Sequence, residues 1–502
     1  MNRRKFFAAA SAFTVPVMLN GLELKAMTRQ SALVQSLLNT NAVNTDRVLV
    51  IVYLNGGNDG LNTVIPIDQY SRYDTLRHNI AIPQNNLLAL NGYPELGLHP
   101  SMTGMRNLFN DGRLSIINSV GYPNPDQSHF RSTDIYMSAA DSNVQLTSGW
   151  AGRYLSDQYP GYPTGYPNAQ MEDPLALQIG YLTSTTLLGP QQSMGVSVND
   201  PDAFYQLVGA GQNIPPADVP PGDAGDLVTF IRQQQALAVG YAGEIKTAFN
   251  AGQNFSTYPQ PNQNALADQL KIVSRLIHGG LKTKIYFVSV GGFDTHSTQI
   301  YNGNPLQGAH ADLLGKVSDA LWLFQEDLRQ QGVQDRVVGM TFSDFGRRAN
   351  SNASFGTDHG VAAPQFVFGT AMKRQIIGQN PNLSDLIPSY GNNFDVKMQI
   401  DFRRLYRDIL VDWFGTTQAK SDSLLLHNFP TVSLFSDLCQ TVTSGPWNDA
   451  NTWSMGRVPV ASERICVNPG HVVTVSQNAS VKSVRMLGTL KYSNGARIRI
   501  TG

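Results

Sequence analysis

Residues Arg47 to Leu54 read Arg-Val-Leu-Val-Ile-Val-Tyr-Leu, an almost unbroken run of β-branched and apolar side chains. A strand covered on both faces of a parallel sheet has this composition, whereas a strand with one solvated face alternates polar and apolar residues. Further short apolar runs follow at 114–120, 284–290, 336–342 and 364–368. The first run therefore predicts a buried strand, and the others predict its neighbours in one sheet.

Segments with helical spacing separate these runs, notably 227–249, 265–277 and 309–328. In the third segment, apolar residues recur every three or four positions, which marks one buried helix face. The members of that face are Leu313, Leu314, Val317, Ala320, Leu321, Phe324 and Leu328. Strands that alternate with helices predict an α/β fold, with a mainly parallel sheet and helices on both faces.

The size and charge of the chain bound its organisation and its partners. At 502 residues it exceeds the roughly 250–300 residues that one core usually organises, so we predict a main domain over 45–433 and a smaller appendage. The 37 basic residues balance the 37 acidic ones. A neutral chain without a basic run gives no indication of a nucleic acid or an anionic membrane as partner.

The appendage is predicted over 446–502, where short valine-rich runs are separated by Gly and Asn turns. This pattern indicates an all-β, β-solenoid-like module that is too small to bury much surface alone. Its aromatic residues Trp447 and Trp453 either fill the interior of the coil or bind glycan, and the module could associate with a cell surface. Cys439 and Cys466 either pair or remain two buried thiols.

The N-terminus predicts export. Arg3-Arg4 precedes Phe6-Phe7 and a short apolar run that ends near Leu19, and this order is typical of a twin-arginine signal over 1–27. The run is shorter than the roughly 20 apolar residues of a spanning helix, so we predict no transmembrane segment in the mature chain. The expected location is the periplasm, the cell surface or the medium. The alternative is an ordinary amphipathic helix.

Acidic and histidine residues follow the predicted strands, where open α/β sheets bind their ligands. Asp59 follows the first strand, Asp294 and His296 follow the strand at 284–290, Asp344 follows the next, and His359 lies in the loop before the last. Each alone could be a capping residue or a loop histidine. Because the placement recurs, we predict one shared site for a divalent ion: Zn²⁺, Mn²⁺, Mg²⁺ or Ca²⁺.

Ser128 and His129 lie after the strand at 114–120 and at the start of a predicted helix. Ser128 is either the helix cap or a nucleophile, because the positive end of a helix favours an anion. His129 either orients Ser128 or packs against its surroundings. These two residues are the candidate catalytic pair.

Eight short motifs together resemble an exported bacterial family of unknown function, the domain-of-unknown-function family 1501. In chain order they are Gly-Gly-Asn-Asp-Gly at 56–60, Gly-Leu-His-Pro at 97–100, Gln-Ser-His-Phe at 127–130, Gly-Trp-Ala-Gly-Arg at 149–153, Phe-Asp-Thr-His at 293–296, Ser-Asp-Phe-Gly-Arg at 343–347, Gly-Thr-Asp-His-Gly at 356–360 and Asp-Phe-Arg at 401–403. The set also looks like a sulfatase-like branch of the alkaline phosphatase superfamily, which implies an alkaline-phosphatase-like α/β fold. The C-terminal module resembles the opening coils of a secreted β-helix.

The superfamily resemblance carries over residue by residue. Asp59 matches a metal aspartate, Ser128 matches the nucleophile, and Asp294 with His296 looks like a second aspartate–histidine pair. Asp344 matches another metal aspartate, but Phe345 stands where a ligand is expected.

This departure favours a site for one metal ion, or a lapsed one, over a two-metal site. In the active form His359 is the late ligand, and Arg347 clamps the equatorial oxygens of the transferring group. The alternative for Arg347 is a structural ion pair.

Two functions of different class follow from this sequence. The first is an exported metal-dependent hydrolase of phosphate or sulfate esters, acting on a small molecule or a polysaccharide. The second is a non-catalytic binding or surface-assembly protein on a lapsed hydrolase fold, for which Phe345 and the β module speak. A fold alone does not decide between them, since function depends on the site.

Overall fold

The computed structural model describes residues 17–19, 22–24, 46–169, 171–201, 222–372, 375–435, 438–453, 458–461, 463–468, 470–486, 488–493 and 495–501. The chain divides into two compact units, one formed by Asn44–Phe435 and the other by Ser436–Gly502 with Met1–Val43. The predicted export signal lies outside the described residues, apart from two short antiparallel strands at Val17–Leu19 and Leu22–Leu24.

The larger unit is built on a nine-stranded sheet. Its strands are β1 (Val48–Leu54), β2 (Leu114–Gly121), β3 (Ala176–Ile179), β4 (Gly195–Val198), β5 (Ile285–Val290), β6 (Val337–Ser343), β7 (Ala363–Phe368), β8 (Gln375–Ile377) and β9 (Ile400–Asp401). They lie in the order β8-β2-β7-β6-β1-β5-β3-β4, and β9 pairs with β2. Only β7 is antiparallel to its neighbours in these ladders. The predicted mainly parallel α/β sheet is confirmed.

β1 shows why the sequence pattern was informative. It pairs in parallel with β5 on one side and with β6 on the other, so it lies inside the sheet. All seven of its residues are buried, which requires cover on both faces of the sheet. Removing a methyl or larger group here would leave a cavity, since cores are packed as densely as organic crystals.

The helices of the larger unit flank this sheet. They are α1 (Gly60–Thr63), α2 (Tyr70–Arg77), α3 (Thr103–Asn110), α4 (His129–Ser138), α5 (Trp150–Gln158), α6 (Asp223–Ala251), α7 (Ala265–His278), α8 (Ala309–Gln330), α9 (Arg403–Asp408) and α10 (Gln418–Leu425). The face predicted for α8 is largely buried, with Leu314, Val317 and Leu321 in the core, while Leu313 is partly buried and packs against it. Among the described residues, no helix is long and apolar enough to cross a membrane.

Two smaller sheets accompany the main one. Val64–Pro66, Leu88–Leu90 and Tyr93–Leu98 form a three-stranded antiparallel sheet. Ile387–Pro388 and Phe394–Asp395 pair antiparallel as a short hairpin. This hairpin becomes relevant below, because it contacts the loops at the edge of the main sheet.

The second unit contains the β module. Its strands are β10 (Leu438–Gln440), β11 (Gly445–Pro446), β12 (Arg464–Val467), β13 (Val472–Val475), β14 (Ala479–Val481), β15 (Ser483–Met486), β16 (Thr489–Tyr492) and β17 (Ile498–Ile500). They form three parallel ladders, β10-β12-β15, β11-β13-β16 and β14-β17. Successive coils therefore stack in a β-solenoid-like way, and the module begins earlier than the predicted residue 446.

The module interior answers two questions that the sequence left open. Trp447 and Trp453 are 2% and 1% exposed, so they fill the coil interior. Cys439 and Cys466 are buried free thiols. In the parallel ladder Cys466 lies opposite Gln440, one position away from Cys439. Because successive strand residues point to opposite faces, the two thiols do not face each other in this register.

Candidate metal centre

Five loops converge at one edge of the main sheet. The carboxyl ends of β1, β2, β5 and β6 lie at the same edge, because these strands run in the same direction. β7 runs the opposite way, so the loop before it reaches this edge as well. The edge therefore collects the loops that follow β1, β2, β5 and β6 and the loop that carries His359.

Two glycines after β1 allow this convergence. Gly56 has φ of 122°, and a Cβ there would lie 2.3 Å from the backbone nitrogen of Asp294. Gly57 has φ of 80°, and its Cβ would lie 2.6 Å from the ring of Phe345. Both the positive φ and the close approach require glycine. The backbone after β1 thus packs directly against the loops that carry the functional side chains.

Three imidazoles surround one carboxylate at this edge; we call His129, His296, His359 and Asp294 the His/Asp cluster. Asp294 Oδ1 lies 3.5 Å from His129 Nε2, 3.2 Å from His296 Nε2 and 3.6 Å from His359 Nε2. The ligand atoms of His129, Asp294 and His359 all lie within 4.8 Å of one another, which is close enough to hold one metal ion. His296 Nε2 lies 2.8 Å from His359 Nε2.

Each imidazole uses its other ring nitrogen, Nδ1, to contact an acceptor. The contacts are His129 to Asp344 Oδ2 at 2.6 Å, His296 to Asp358 Oδ1 at 3.0 Å and His359 to the Gln127 carbonyl oxygen at 2.7 Å. A carbonyl oxygen and an ionised carboxylate only accept hydrogen bonds, so each Nδ1 carries a proton. Metal-ligating histidines characteristically have such a partner, which fixes their tautomer and their orientation.

This tautomer leaves a lone pair on each Nε2 atom. Two lone pairs 2.8 Å apart, on His296 and His359, repel each other unless a proton or a metal cation lies with them. His129 Nε2 is buried and makes no hydrogen bond within the described part of the chain. An uncompensated buried nitrogen is costly. Three imidazole nitrogens and one carboxylate are a donor set suited to Zn²⁺ or Mn²⁺, so these residues fit a divalent metal ion.

The charges at the cluster favour the protonation states that bind a metal. Burial raises the pKa of Asp294, but the hydrogen bond and charge of Arg347 and the neighbouring imidazoles lower it further, so the net pKa lies below its usual value. Burial lowers the pKa of His359. At neutral pH the cluster therefore offers an ionised carboxylate and a neutral His359, the forms that coordinate metal.

Asp344 is placed differently from the prediction that it is a ligand. Its side chain is fully buried, and its oxygens accept from the Tyr53 hydroxyl at 2.7 Å and from the Gly56 N–H at 3.2 Å, besides contacting His129. The structure thus makes Asp344 the residue that holds and orients His129. His129 in turn contacts Asp344 through Nδ1 and the cluster through Nε2, so its observed contacts are not those of a residue that orients Ser128.

Arg347 also differs from the predicted anion clamp. Its guanidinium is buried and donates to the backbone carbonyls of Gly56, Gly57, Phe293 and Thr357, and to Asp294 Oδ1 at 2.6 Å. These bonds tie the loops after β1, β5 and β6 together and leave the guanidinium no exposed face. The alternative that the sequence left open, a structural ion pair, describes what is observed.

Asp59 is the third residue placed differently. It is fully buried, and both of its oxygens pair with Arg77 Nη1, at 2.9 Å and 2.8 Å. Gln299 Nε2 donates to the same carboxylate at 2.6 Å. Burial raises the pKa of Asp59, but Arg77 and the other partners lower it more, so the group stays ionised. Asp59 is therefore neutralised by the protein itself and lies outside the His/Asp cluster.

Ser128 is exposed and stands at the N-cap position of α4, directly before His129. Within the described chain its side chain makes no capping hydrogen bond, although its N–H donates to Asp126 Oδ1 at 2.7 Å. Phe345 is buried against the cluster, with its ring centroid 4.8 Å from that of His129 and 4.4 Å from that of His359. Phe345 thus packs as an apolar wall where the resemblance expects a ligand.

Two contributors to the site were not singled out from the sequence. Asp358 holds His296, although it lies inside the quoted motif at 356–360. Burial raises its pKa, and hydrogen bonds from Asn352 and His296 lower it to a value below normal. The Gln127 carbonyl holds His359. The Asp-His pair at 358–359 was the available signal for the first, whereas a backbone carbonyl leaves no signal in the sequence.

The comparisons with known proteins are consistent with the sequence resemblance. Residues 246–426 match the family described as "Protein of unknown function (DUF1501)". This range includes Asp294, His296, Asp344 and His359, but not Ser128 and His129. Among curated proteins, none matches the chain.

Several solved structures are distantly similar to the chain. The structure of Ps i-CgsB in complex with k-i-k-neocarrahexaose has 10% identity and a TM-score of 0.35, covering 77% of this chain and 75% of its own. The PsFucS1 sulfatase from Pseudoalteromonas sp. has 12% identity and a TM-score of 0.28, covering 70% and 67%. The alkaline phosphatase from the Antarctic bacterium TAB5 has 8% identity and a TM-score of 0.27, covering 66% and 94%. At such values the fold assignment rests on the sheet order of the chain itself.

Proposed function

We propose that the protein is an exported metal-dependent hydrolase of phosphate or sulfate esters, with one divalent ion held by the His/Asp cluster. The observation that carries the proposal is the set of three Nε2 atoms around Asp294, each imidazole being held through Nδ1 by its own acceptor. Structural ion pairs do not need three imidazoles in one tautomer. The cluster also lies at the carboxyl edge of the sheet, where open α/β folds bind ligands.

The chain's own residues divide the work of such a site. His129, His359 and Asp294 hold the ion, and His296 completes the set from the side of His359. Asp344, Asp358 and the Gln127 carbonyl keep the imidazoles in place. When bound, a divalent ion supplies Lewis-acid stabilisation of charge on an ester oxygen.

Ser128 is the candidate nucleophile of this proposal. It is exposed at the N-terminus of the ten-residue helix α4, where the helix dipole favours negative charge on its hydroxyl oxygen. Its neighbour His129 belongs to the cluster, so the hydroxyl lies one residue away from a metal ligand. Phe345 and the withdrawal of Asp59 into its ion pair favour one metal ion rather than two.

A binding protein on a lapsed hydrolase fold is the second candidate. The observation that favours it is the loss of two groups from the reactive edge: Asp59 is neutralised by Arg77, and Arg347 is consumed by backbone carbonyls. In this case the metal ion would organise a binding surface, and the β module would provide attachment to a cell surface or a glycan.

Hydrolysis of 4-nitrophenyl phosphate and 4-nitrophenyl sulfate, measured with added Zn²⁺ or Mn²⁺, separates the two candidates. The hydrolase proposal predicts turnover that depends on the metal and falls by more than about 100-fold in Ser128→Ala and in Asp294→Ala. Ser71→Ala, which alters an exposed serine on α2, is the matched control and should keep wild-type rates.

The outcome of the assay is read against metal binding. Metal binding without turnover of either ester would favour the binding protein. Unchanged turnover in Ser128→Ala would remove that residue from the mechanism. Turnover that persists in a chelator would contradict the metal-dependent proposal altogether.

A further inference from the structure

A hairpin contacts the loops of the His/Asp cluster on the side of Gln127. Its strands are Ile387–Pro388 and Phe394–Asp395, and the Phe394 carbonyl accepts a hydrogen bond from the Ala349 N–H at 2.8 Å. Gln127 Nε2 lies 3.5 Å from Asp395 Oδ2. Since the Gln127 carbonyl holds His359 and Ser128 is the next residue, this end of the hairpin borders the proposed reactive site.

Two polar groups at this border lack partners. Asp395 is 4% exposed, yet its Oδ1 atom accepts no hydrogen bond within the described chain. Arg348 has a side chain 14% exposed; its Nε is buried without an acceptor among the described residues, and its Nη1 lies 3.7 Å from Asp358. An acceptor and a donor left buried without partners are costly, so such a pair calls for a ligand that offers both.

The two segments that meet at this border each carry an exposed aromatic side chain. Tyr390, in the turn of the hairpin, is 88% exposed. Phe130, which follows His129 in α4, is 90% exposed. Large aromatic side chains are rarely this exposed unless they contact a partner, and their flat faces pack against apolar C–H surfaces.

We propose that Arg348 and Asp395, together with the face of Tyr390, form a subsite for a sugar ring beside the metal centre, so that the ester substrate is carried by a carbohydrate. Neighbouring ring hydroxyls each donate and accept, which satisfies both the carboxylate and the guanidinium. The carboxylate of Asp395 would repel a phosphate or sulfate group, so the subsite binds the neutral part of the substrate and not the ester. This inference rests on the proposed function for the ester, but the binding of the ring can be tested alone.

The test is the binding of the full-length protein to an array of neutral, sulfated and phosphorylated oligosaccharides. We expect binding to a subset of these glycans. Asp395→Asn and Arg348→Gln should each weaken it by about tenfold, because each removes one charged hydrogen-bonding partner. Tyr390→Ala should weaken it by about three- to tenfold. Tyr492→Ala, at a 44% exposed tyrosine of the β module, is the matched control and should bind as the wild type does.

A parallel assay on 4-nitrophenyl esters distinguishes this inference from the proposed function. The three subsite variants should keep the wild-type rate on these small esters, which lack the ring. Glycan binding without ester hydrolysis would sink the hydrolase and keep the subsite. Failure to bind any glycan, binding unchanged in all three variants, or binding lost only in Tyr492→Ala would each overturn the subsite.

Discussion

Asp59 and Asp294 occupy equivalent places, yet the protein treats them in opposite ways. Each follows a buried strand at the same edge of the sheet, and each has a pKa below its usual value. Asp59 is sealed in the interior with both oxygens on Arg77. The side chain of Asp294 is 50% exposed and is surrounded by three imidazoles that offer lone pairs. One carboxylate has a permanent cation from the chain, and the other is equipped to share an exchangeable one.

The difference lies in the partners and not in the strand ends. Arg77 sits at the end of α2, and its guanidinium also donates to the backbone carbonyls of Ala349 and Arg348. It therefore connects Asp59 to the loop after β6 as a structural bond. Around Asp294 the arginine contacts one oxygen only, and histidines supply the remaining neighbours. A strand-end aspartate is thus a metal ligand only where the fold withholds a second full charge.

Replacement of Arg77 by Met should produce the largest effect. It leaves Asp59 ionised, buried and unpaired, so we expect a loss of about 3–5 kcal/mol in the free energy of unfolding. Denaturant unfolding measures this change. Arg77→Met combined with Asp59→Asn should recover part of the loss, since the uncompensated charge is gone. A cost below about 1 kcal/mol for the single variant would show that Asp59 has another partner.

Asp294→Asn should act on metal binding and leave folding almost unchanged. The half-exposed carboxylate is a proposed ligand, so its loss should weaken Zn²⁺ or Mn²⁺ binding by more than about 100-fold. The free energy of unfolding of the metal-free protein should change by less than about 1 kcal/mol. Calorimetric titration gives the affinity. A destabilisation as large as that of Arg77→Met would mean that the two carboxylates play the same structural role.

Asp358→Asn should weaken metal binding by about 10–100-fold, because Asp358 holds His296 without being a proposed ligand. Asp385→Asn removes a surface carboxylate that pairs with Lys397 and is the matched control. The same titration with both variants measures the effect. Equal affinities for the two would indicate that the contact between Asp358 and His296 does not position the imidazole.

The smallest predicted effect concerns pH and the surroundings of Asp59. Burial lowers the pKa of His310 to about 4 and that of His99 to about 3. The unfolded chain binds a proton at each position near pH 6.5, so it holds more protons than the folded chain below that pH. Stability is therefore present above pH 6.5 and is lost as the pH falls towards 4.

Between pH 7 and pH 5.5 we expect the free energy of unfolding to fall by about 1 kcal/mol per histidine. Denaturant titrations of the metal-free protein over this range provide the measurement. Stability that stays constant or rises as the pH falls would mean that these two histidines are not held neutral in the folded state.

The sequence predicted the framework well because buried strands and amphipathic helices carry periodic patterns. The run at 47–54 became β1, and the apolar face at 309–328 became the buried side of α8. It also predicted which loops meet, because parallel strands end at one edge. It could not assign roles within the meeting, since these depend on side chains from outside the motifs.

The residues concerned show this limit. Nothing near Asp59 in the sequence announces that Arg77 reaches it across 18 positions. Asp344 and Arg347 lie in one motif, yet one holds an imidazole and the other ties backbone carbonyls. Asp358 and the Gln127 carbonyl act through distances that no local pattern contains.

The stoichiometry of divalent metal binding tests the central claim most directly. The full-length protein would be dialysed against Zn²⁺ or Mn²⁺ and its metal content determined, beside the triple variant His129→Ala, Asp294→Ala, His359→Ala. The account predicts one ion per chain in the wild type and none in the triple variant, with Asp59 left paired to Arg77. Two ions per chain, no ion at saturating metal, or full metal content in the triple variant would contradict it.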